Sequence, residues 1–228
     1  MQLTKYTHSC VRLDKETPEG HRTLVIDPGS FSETGPALDG AHAILITHEH
    51  ADHVDVPAVV AALVSSPDLV VYAPAGIAGT LRQEAAAAGA ADPDGRVHDA
   101  GSGLDVVVAG YSVRGFGSQH AIIHPLVPLV ANTGYLVDGT LFHPGDSFTV
   151  PSGVEVDTLL VPVHAPWSKI QEVIDFVISV RARRAFNIHE ALLNPAGLSM
   201  LEGHVTRLGG QYGTSYEHLD PGETRDLG

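Results

Sequence analysis

The chain has 228 residues, of which 13 are lysine or arginine and 27 aspartate or glutamate, a formal net charge of −14 with neutral histidines. Polyanions are bound by neutralising their phosphates, so this balance argues against nucleic acid and against an anionic membrane surface as partners. A 43% apolar fraction argues against a disordered chain, and a single cysteine, Cys10, against a disulfide framework or a Cys-rich zinc module. Residues 2–13 and 22–27 read as two strands, the second the run Leu24-Val25-Ile26 stopped by Asp27-Pro28-Gly29, and residues 30–40 as a loop. An apolar strand over 43–46 runs straight into Thr47 and a histidine cluster. Residues 56–64 read as a helix, 69–72 as a buried strand, and the alanine-rich stretch 77–89 as a surface helix ending at Gly89.

From 104 to 116 and from 126 to 142 the apolar period shortens towards two, with turns such as Asp138-Gly139, and hairpins are predicted. A further apolar strand covers 157–163. Ile170, Val173, Ile174 and Val177 then recur at helical spacing over 169–182, with Ser168 as the expected cap and Gln171 in the box position. A strand over 184–188 ends at His189, and a last helix near 197–208 stops at Gly209-Gly210 before a short tail strand. No stretch approaches the roughly 18 apolar residues of a membrane span. No basic start with an apolar run marks a signal peptide, and no linker divides the chain, so one domain over residues 1–228 in the cytoplasm is expected.

The 14 histidines outnumber lysine and arginine together, and they gather in Thr47-His48-Glu49-His50-Ala51-Asp52-His53. Neutral imidazole and carboxylate are good ligands for zinc and similar ions. A loop after a strand can turn His48 and His50 one way and Asp52 and His53 the other, giving two adjacent ligand sets. Further donors stand just after apolar strands: His120, with His124 as its neighbouring rival, then Asp146 and His189. Buried strands deliver the residues at their ends to one edge of a sheet, where distant parts of the chain converge. Asp146, with two free oxygens, is the natural link between two ions.

The H-x-H-x-D-H cluster behind the strand ILIT, together with LVIDPG at 24–29, HPGDS at 143–147, LDPGE at 219–223 and His8-Ser9-Cys10, resembles the metallo-β-lactamase superfamily of metal-dependent hydrolases. Within the superfamily these blocks resemble the ascorbate-phosphate lactonase-like branch. The resemblance implies an α/β fold, a four-layer αββα sandwich of two mixed sheets flanked by helices. It implies one metal on His48, His50 and His120, a second on Asp52, His53 and His189, and Asp146 bridging them. Two divalent ions, zinc by expectation with manganese or iron as alternatives, would lower the pKa of a bridging water and supply hydroxide at neutral pH. The implied activity is hydrolysis of a small ester, lactone or phosphodiester.

In that scheme Asp52 ligates and orients the nucleophile, and Asp27 accepts a ligand imidazole N–H and fixes its tautomer. His143 and His164 are candidates for substrate or oxyanion contacts, with a structural role as the alternative for each, and His164 leads the loop Ala165-Pro166-Trp167 that could wall a pocket. His8, His21, His42, His98, His204 and His218 read as surface or structural. Asn187 and Glu190 depart from the branch pattern, and Glu190 is expected to add negative charge at the pocket mouth. Only Arg114 and Lys169 stand near the site as candidates to clamp a phosphate. The expected partner is a small-molecule substrate, with room left for a homo-oligomer. An iron-binding redox enzyme of the same fold and a non-catalytic metal-binding protein are the competing readings.

Overall fold

In the computed structural model, which describes residues 1–228, the apolar runs become the inner strands of two seven-stranded sheets. The first contains β1 (Gln2–Lys5), β2 (Val11–Thr17), β3 (Gly20–Ile26), β4 (Ala43–Leu45), β5 (Val70–Ala73), β6 (Val97–Asp99) and, closing its edge beside β1, β14 (Thr224–Asp226). From β14 to β3 the neighbours are antiparallel; from β3 to β6 they are parallel. The second contains β7 (Asp105–Val108), β8 (Tyr111–Phe116), β9 (Gly134–Val137), β10 (Leu141–His143), β11 (Thr158–Pro162), β12 (Arg184–Ile188) and β13 (Ser215–Glu217). It lies in sequence order, antiparallel from β7 to β10 and parallel from β10 to β13.

Three apolar layers hold these sheets and their helices together, and the sequence shows why. Successive side chains of a strand point to opposite faces. Leu24, Ile26, Ala43 and Leu45 face the second sheet, where they meet Tyr111, Tyr135, Leu160 and Ile188. Val25 and Ile44 face outward onto α2 (Val56–Ser65) and α3 (Ala75–Ala87), through Val59, Leu63, Ile77 and Leu81. In the second sheet Leu160 points inward, while Leu159 and Val161 pack on α5 (Ile170–Val180) and α6 (Pro195–Gly210). Strands buried on both faces read as unbroken apolar runs for this reason. The result is the α/β sandwich of four layers, helices outside and two mixed sheets within. Hydrogen bonds also stitch the sheets directly: Thr133 donates its amide to the Thr47 carbonyl at 2.9 Å, the Tyr135 hydroxyl donates to the Ile46 carbonyl at 2.9 Å, and the Tyr111 hydroxyl donates to the Leu13 carbonyl at 2.8 Å.

Four local expectations differ from the structure. The predicted strand 2–13 breaks into β1 and β2, because the chain reverses through residues 6–10 to pair Gln2 with Asp14. Residues 30–40 hold a five-residue helix, α1 (Thr34–Leu38), and a single turn, α4 (Pro93–Arg96), precedes β6. Residues 126–133 carry no strand: Pro128 has no N–H to give a ladder, and residues 126–129 are exposed. Helix α5 starts one residue later than predicted. Lys169 is its N-cap, with its amide donating to Glu172 Oε2 at 2.9 Å, while the Ser168 hydroxyl turns back to Ala165.

Candidate metal centre

The parallel strands of both sheets end at the same rim, and their following residues meet there. Thr47 and His48 follow β4, Asp27 follows β3, Asp146 follows β10, and His189 follows β12. His120 arrives from the loop after β8. The backbone is bent sharply to do this: His8, Asp27 and His189 hold positive φ of 66°, 51° and 68°, three of the seven non-glycine residues that do so. Such a conformation costs on the order of 1 kcal/mol each and persists only where the surroundings enforce it. The Asp27-Pro28-Gly29 turn is wedged beneath the histidine loop. A Cβ on Gly29 would lie 1.9 Å from the Asp52 carbonyl oxygen, so only glycine fits.

Two groups of donors result. His48, His50, His120 and Asp146 have ligand atoms within 4.8 Å of one another, and so do His8, Asp52, His53 and His189. Asp146 faces both groups. Its Oδ2 lies 3.2 Å from His120 Nε2 and 4.0 Å from His48 Nε2; its Oδ1 lies 3.0 Å from His53 Nε2 and 3.2 Å from His189 Nε2. Ligand atoms around a tetrahedral ion with bonds of about 2.1 Å stand about 3.4 Å apart, so these separations suit an ion in each group. The buried His120 Nε2, His189 Nε2 and Asp146 Oδ1 have no hydrogen-bond partner. An unpaired buried polar atom costs about 1–3 kcal/mol, and here several converge on one space. The residues fit two cations.

The other nitrogen of most rings is already engaged. His53 Nδ1–H donates to Asp27 Oδ2 at 2.7 Å, His189 Nδ1–H to the His164 carbonyl at 2.6 Å, and His120 Nδ1–H to the Ala121 carbonyl at 2.5 Å. His48 Nδ1–H reaches Thr47 Oγ1 at 3.1 Å, and that hydroxyl donates to Asp27 Oδ2 at 2.7 Å. Each bond fixes a tautomer and aims Nε2 inward. Asp27, which also accepts the Thr47 amide at 2.7 Å, thereby steadies two histidines.

The electrostatics agree with a site suited to positive charge. Burial pushes the His48 and His50 pKa values down, which keeps their nitrogens unprotonated. Burial opposes charge on His53 as well, but Asp146 and Asp27 on its two sides outweigh it and hold its pKa well above the usual range. Asp146 is buried and Asp52 half-buried, which opposes charge on both, yet His8 and His53 for Asp52, and His53 and His189 for Asp146, keep them ionised. Asp52 is lowered to about 2.

Several sequence expectations change here. His143 does not reach the cleft. It is fully buried, its Nε2–H donates to the Ser9 carbonyl at 2.9 Å and its Nδ1 accepts the Gly145 amide at 3.1 Å, so no ring nitrogen is free for substrate. His164 contributes its carbonyl to His189, and its ring is not among the lining side chains. His124 is exposed on the loop beyond His120. Glu190 turns away from the mouth, accepting from Lys5 Nζ at 2.9 Å and from the His8 amide at 2.8 Å, so it compensates a buried lysine. Asn187 clamps the tail segment through the Leu219 amide at 2.7 Å.

One residue escaped sequence reasoning, and a second, expected only to wall a pocket, has a partner the sequence did not show. His8 is fully buried, places Nε2 3.2 Å from Asp52 Oδ2, and has its ring 3.9 Å from that of His189. Trp167 walls the cleft and donates its indole N–H to Asp146 Oδ2 at 2.9 Å. The order THSC near the start was the only available signal for His8.

Residues 2–189 match the family model described as β-lactamase superfamily domain. The chain is 38% identical over 213 residues to protein Rv0786c of Mycobacterium tuberculosis, covering 91% of this chain and 92% of that one. Among solved structures it resembles Igni18, a metallo hydrolase from the archaeon Ignicoccus hospitalis, at 18% identity and TM-score 0.70 over 98% and 97% of the two chains. It also resembles CmlA, a diiron β-hydroxylase from Streptomyces venezuelae, at 14% identity and TM-score 0.67, covering 99% of this chain and 54% of that one. With the family model spanning most of the chain and both donor groups at the shared rim of its two sheets, the chain belongs to the metallo-β-lactamase superfamily.

Proposed function

We propose that the chain is a dinuclear metal-dependent hydrolase that cleaves a small ester, lactone or phosphodiester. The observation that carries this reading is Asp146, whose two oxygens face two separate sets of inward-aimed histidine nitrogens beside an open cleft. His48, His50 and His120 would hold one ion, and Asp52, His53 and His189 the other, with Asp146 shared. Such ions, when bound, acidify water and polarise a carbonyl or phosphoryl oxygen.

The chain's own residues then have defined tasks. Asp27, with Thr47, holds His48 and His53 in the tautomer that presents Nε2. Asp52 is ionised and partly exposed at the cleft, with Oδ2 held by His8 at 3.2 Å. Its Oδ1 carries no protein hydrogen bond and is placed to accept one from an incoming water, fixing its direction of attack. Trp167 and Phe31 cover the donors from the solvent side and thin the water around them.

The test is elemental analysis of the purified protein followed by a screen of esters, lactones and bis-p-nitrophenyl phosphate. About two ions per chain with metal-dependent turnover of one of these classes is expected, zinc being the expected ion. Two ions without turnover on any class would leave a non-catalytic metal-binding protein. Two iron atoms with oxygen-dependent turnover would move the chain to the redox reading.

A further inference from the structure

The strongest unexplained feature lies beside the donors. Residues 121–131, Ala-Ile-Ile-His-Pro-Leu-Val-Pro-Leu-Val-Ala, contain no charged side chain in a chain that is 18% charged. They expose Ile122, Leu126 and Leu129 by 61%, 87% and 53%. A connection that only faced water would be polar, and clustered exposed apolar residues mark a binding surface. The loop is anchored at the centre itself: the His120 amide donates to the Val130 carbonyl at 3.1 Å, and the Ala121 amide to the Asp146 carbonyl at 2.8 Å. Between these anchors its hydrogen bonds stay within the loop, from the Val127 amide to the His124 carbonyl and from the Leu126 amide to His124 Nδ1.

The cleft continues the same surface. It encloses about 280 Å³, and above its floor of ligand side chains stand Phe31, Ile123, Pro166, Trp167 and Leu192. Phe31 and Leu192 are themselves about half exposed. The apolar wall abuts the donors, with the Phe31 ring 5.2 Å from His8 and the Trp167 ring 5.9 Å from His120. No lysine or arginine lines the cleft. Lys5 is buried against Glu190, Lys169 is exposed at the start of α5, and Arg114 lies over the Phe116 ring. A phosphorylated ligand would find no protein cation to pair with.

We infer that the cleft takes an uncharged ester or lactone with an apolar acyl chain, and that the loop 121–131 provides the surface along which the chain lies. This rests on the hydrolase reading above. In the reaction, water adds to the acyl carbon, the acyl C–O bond breaks, and the water proton passes to the leaving oxygen, giving an acid and an alcohol. Burying each methylene favours binding by roughly fourfold, and gain made along the chain appears in kcat/KM.

Two measurements test this on the full chain. With zinc-loaded protein, kcat/KM is compared across p-nitrophenyl acetate, butyrate, hexanoate and octanoate and against bis-p-nitrophenyl phosphate. A rise of roughly tenfold or more from acetate to octanoate is expected, and a Leu126→Ser, Leu129→Ser double variant should flatten that ratio. Separately, fluorescence of Trp167, the sole tryptophan, is titrated with 2-decanone, an ester mimic that is not cleaved. A saturable blue shift is expected with or without metal, and none with glycerol phosphate. Turnover that is flat in chain length, or faster on the phosphodiester, overturns the inference and leaves the hydrolase reading standing. So does a double variant that changes only the mass in light scattering, since the loop would then join two copies of the chain. The blue shift without turnover of any ester would overturn the hydrolase reading and keep the apolar ligand.

Discussion

The two sheets furnish the metal centre in opposite ways. The first delivers four donors from one six-residue loop behind β4, and His8 from the reversal between β1 and β2. The second delivers one donor at a time: His120 after β8, Asp146 after β10 and His189 after β12. A contiguous loop can be tuned locally, whereas single residues that follow alternate strands of the sheet are positioned by sheet register. Damage to the first half should therefore remove a ligand, and damage to the second should also disturb what joins the two groups.

The largest contrast is expected between Asp146→Ala and His50→Ala. Asp146→Ala removes the side chain that faces both groups and leaves His53 without the carboxylate oxygen 3.0 Å from its Nε2. Metal content should fall from about two ions per chain to below one, with activity reduced by a factor on the order of 10³ or more. His50 is only half-buried and serves one group. His50→Ala should retain about one ion per chain and a nearly unchanged melting temperature, read by elemental analysis and calorimetry. Equal losses in the two variants would erase the distinction between the sheets.

Asp27→Asn sharpens the contrast further, because it touches no ion yet steadies two histidines of the first half. Such supporting partners are worth about 10–100-fold in metal affinity. A pH signature accompanies it. In the metal-free protein Asp146 and Asp27 hold His53 protonated to higher pH than usual, so an incoming ion must displace that proton, and affinity rises with pH until the raised pKa is passed. Without the Asp27 carboxylate that pKa falls. The affinity deficit of the variant, followed by competition titration from pH 6 to pH 8, should therefore be larger at the higher pH.

The smallest effect is expected far from the rim. Burial disfavours charge on His218, but Glu202 at 2.6 Å outweighs it and raises its pKa. The pair stabilises the fold below the ordinary histidine pKa and loses that contribution as pH rises through the raised one. His218→Gln should cost about 0.5–1 kcal/mol at pH 6 and less at pH 9, by denaturant melts, with metal content unchanged.

What could be read in the sequence follows the same division. The loop 48–53 announces itself because its donors are consecutive, and the runs 24–26 and 159–161 because both faces of their strands are covered. His8 could not be found that way. It reaches Asp52 only because the chain reverses at residues 6–10 and because His189 bonds its backbone to the His8 carbonyl at 3.1 Å. His143 misled for the converse reason: it ends β10 beside Asp146 in sequence, yet its ring points into the layer between the sheets. The polarity of Glu190 was evident, but its direction depended on a lysine 185 positions earlier.

The bond from the Thr133 amide to the Thr47 carbonyl bears on how the molecule assembles. It joins segments 86 positions apart at the entrance to the histidine loop, so that loop gains its final support only after the sheets have docked. Contacts of such wide separation form slowly. The Thr133 amide, buried between two sheets, should exchange its hydrogen for deuterium only when the whole sandwich opens, and its exchange rate would measure the global stability of the fold.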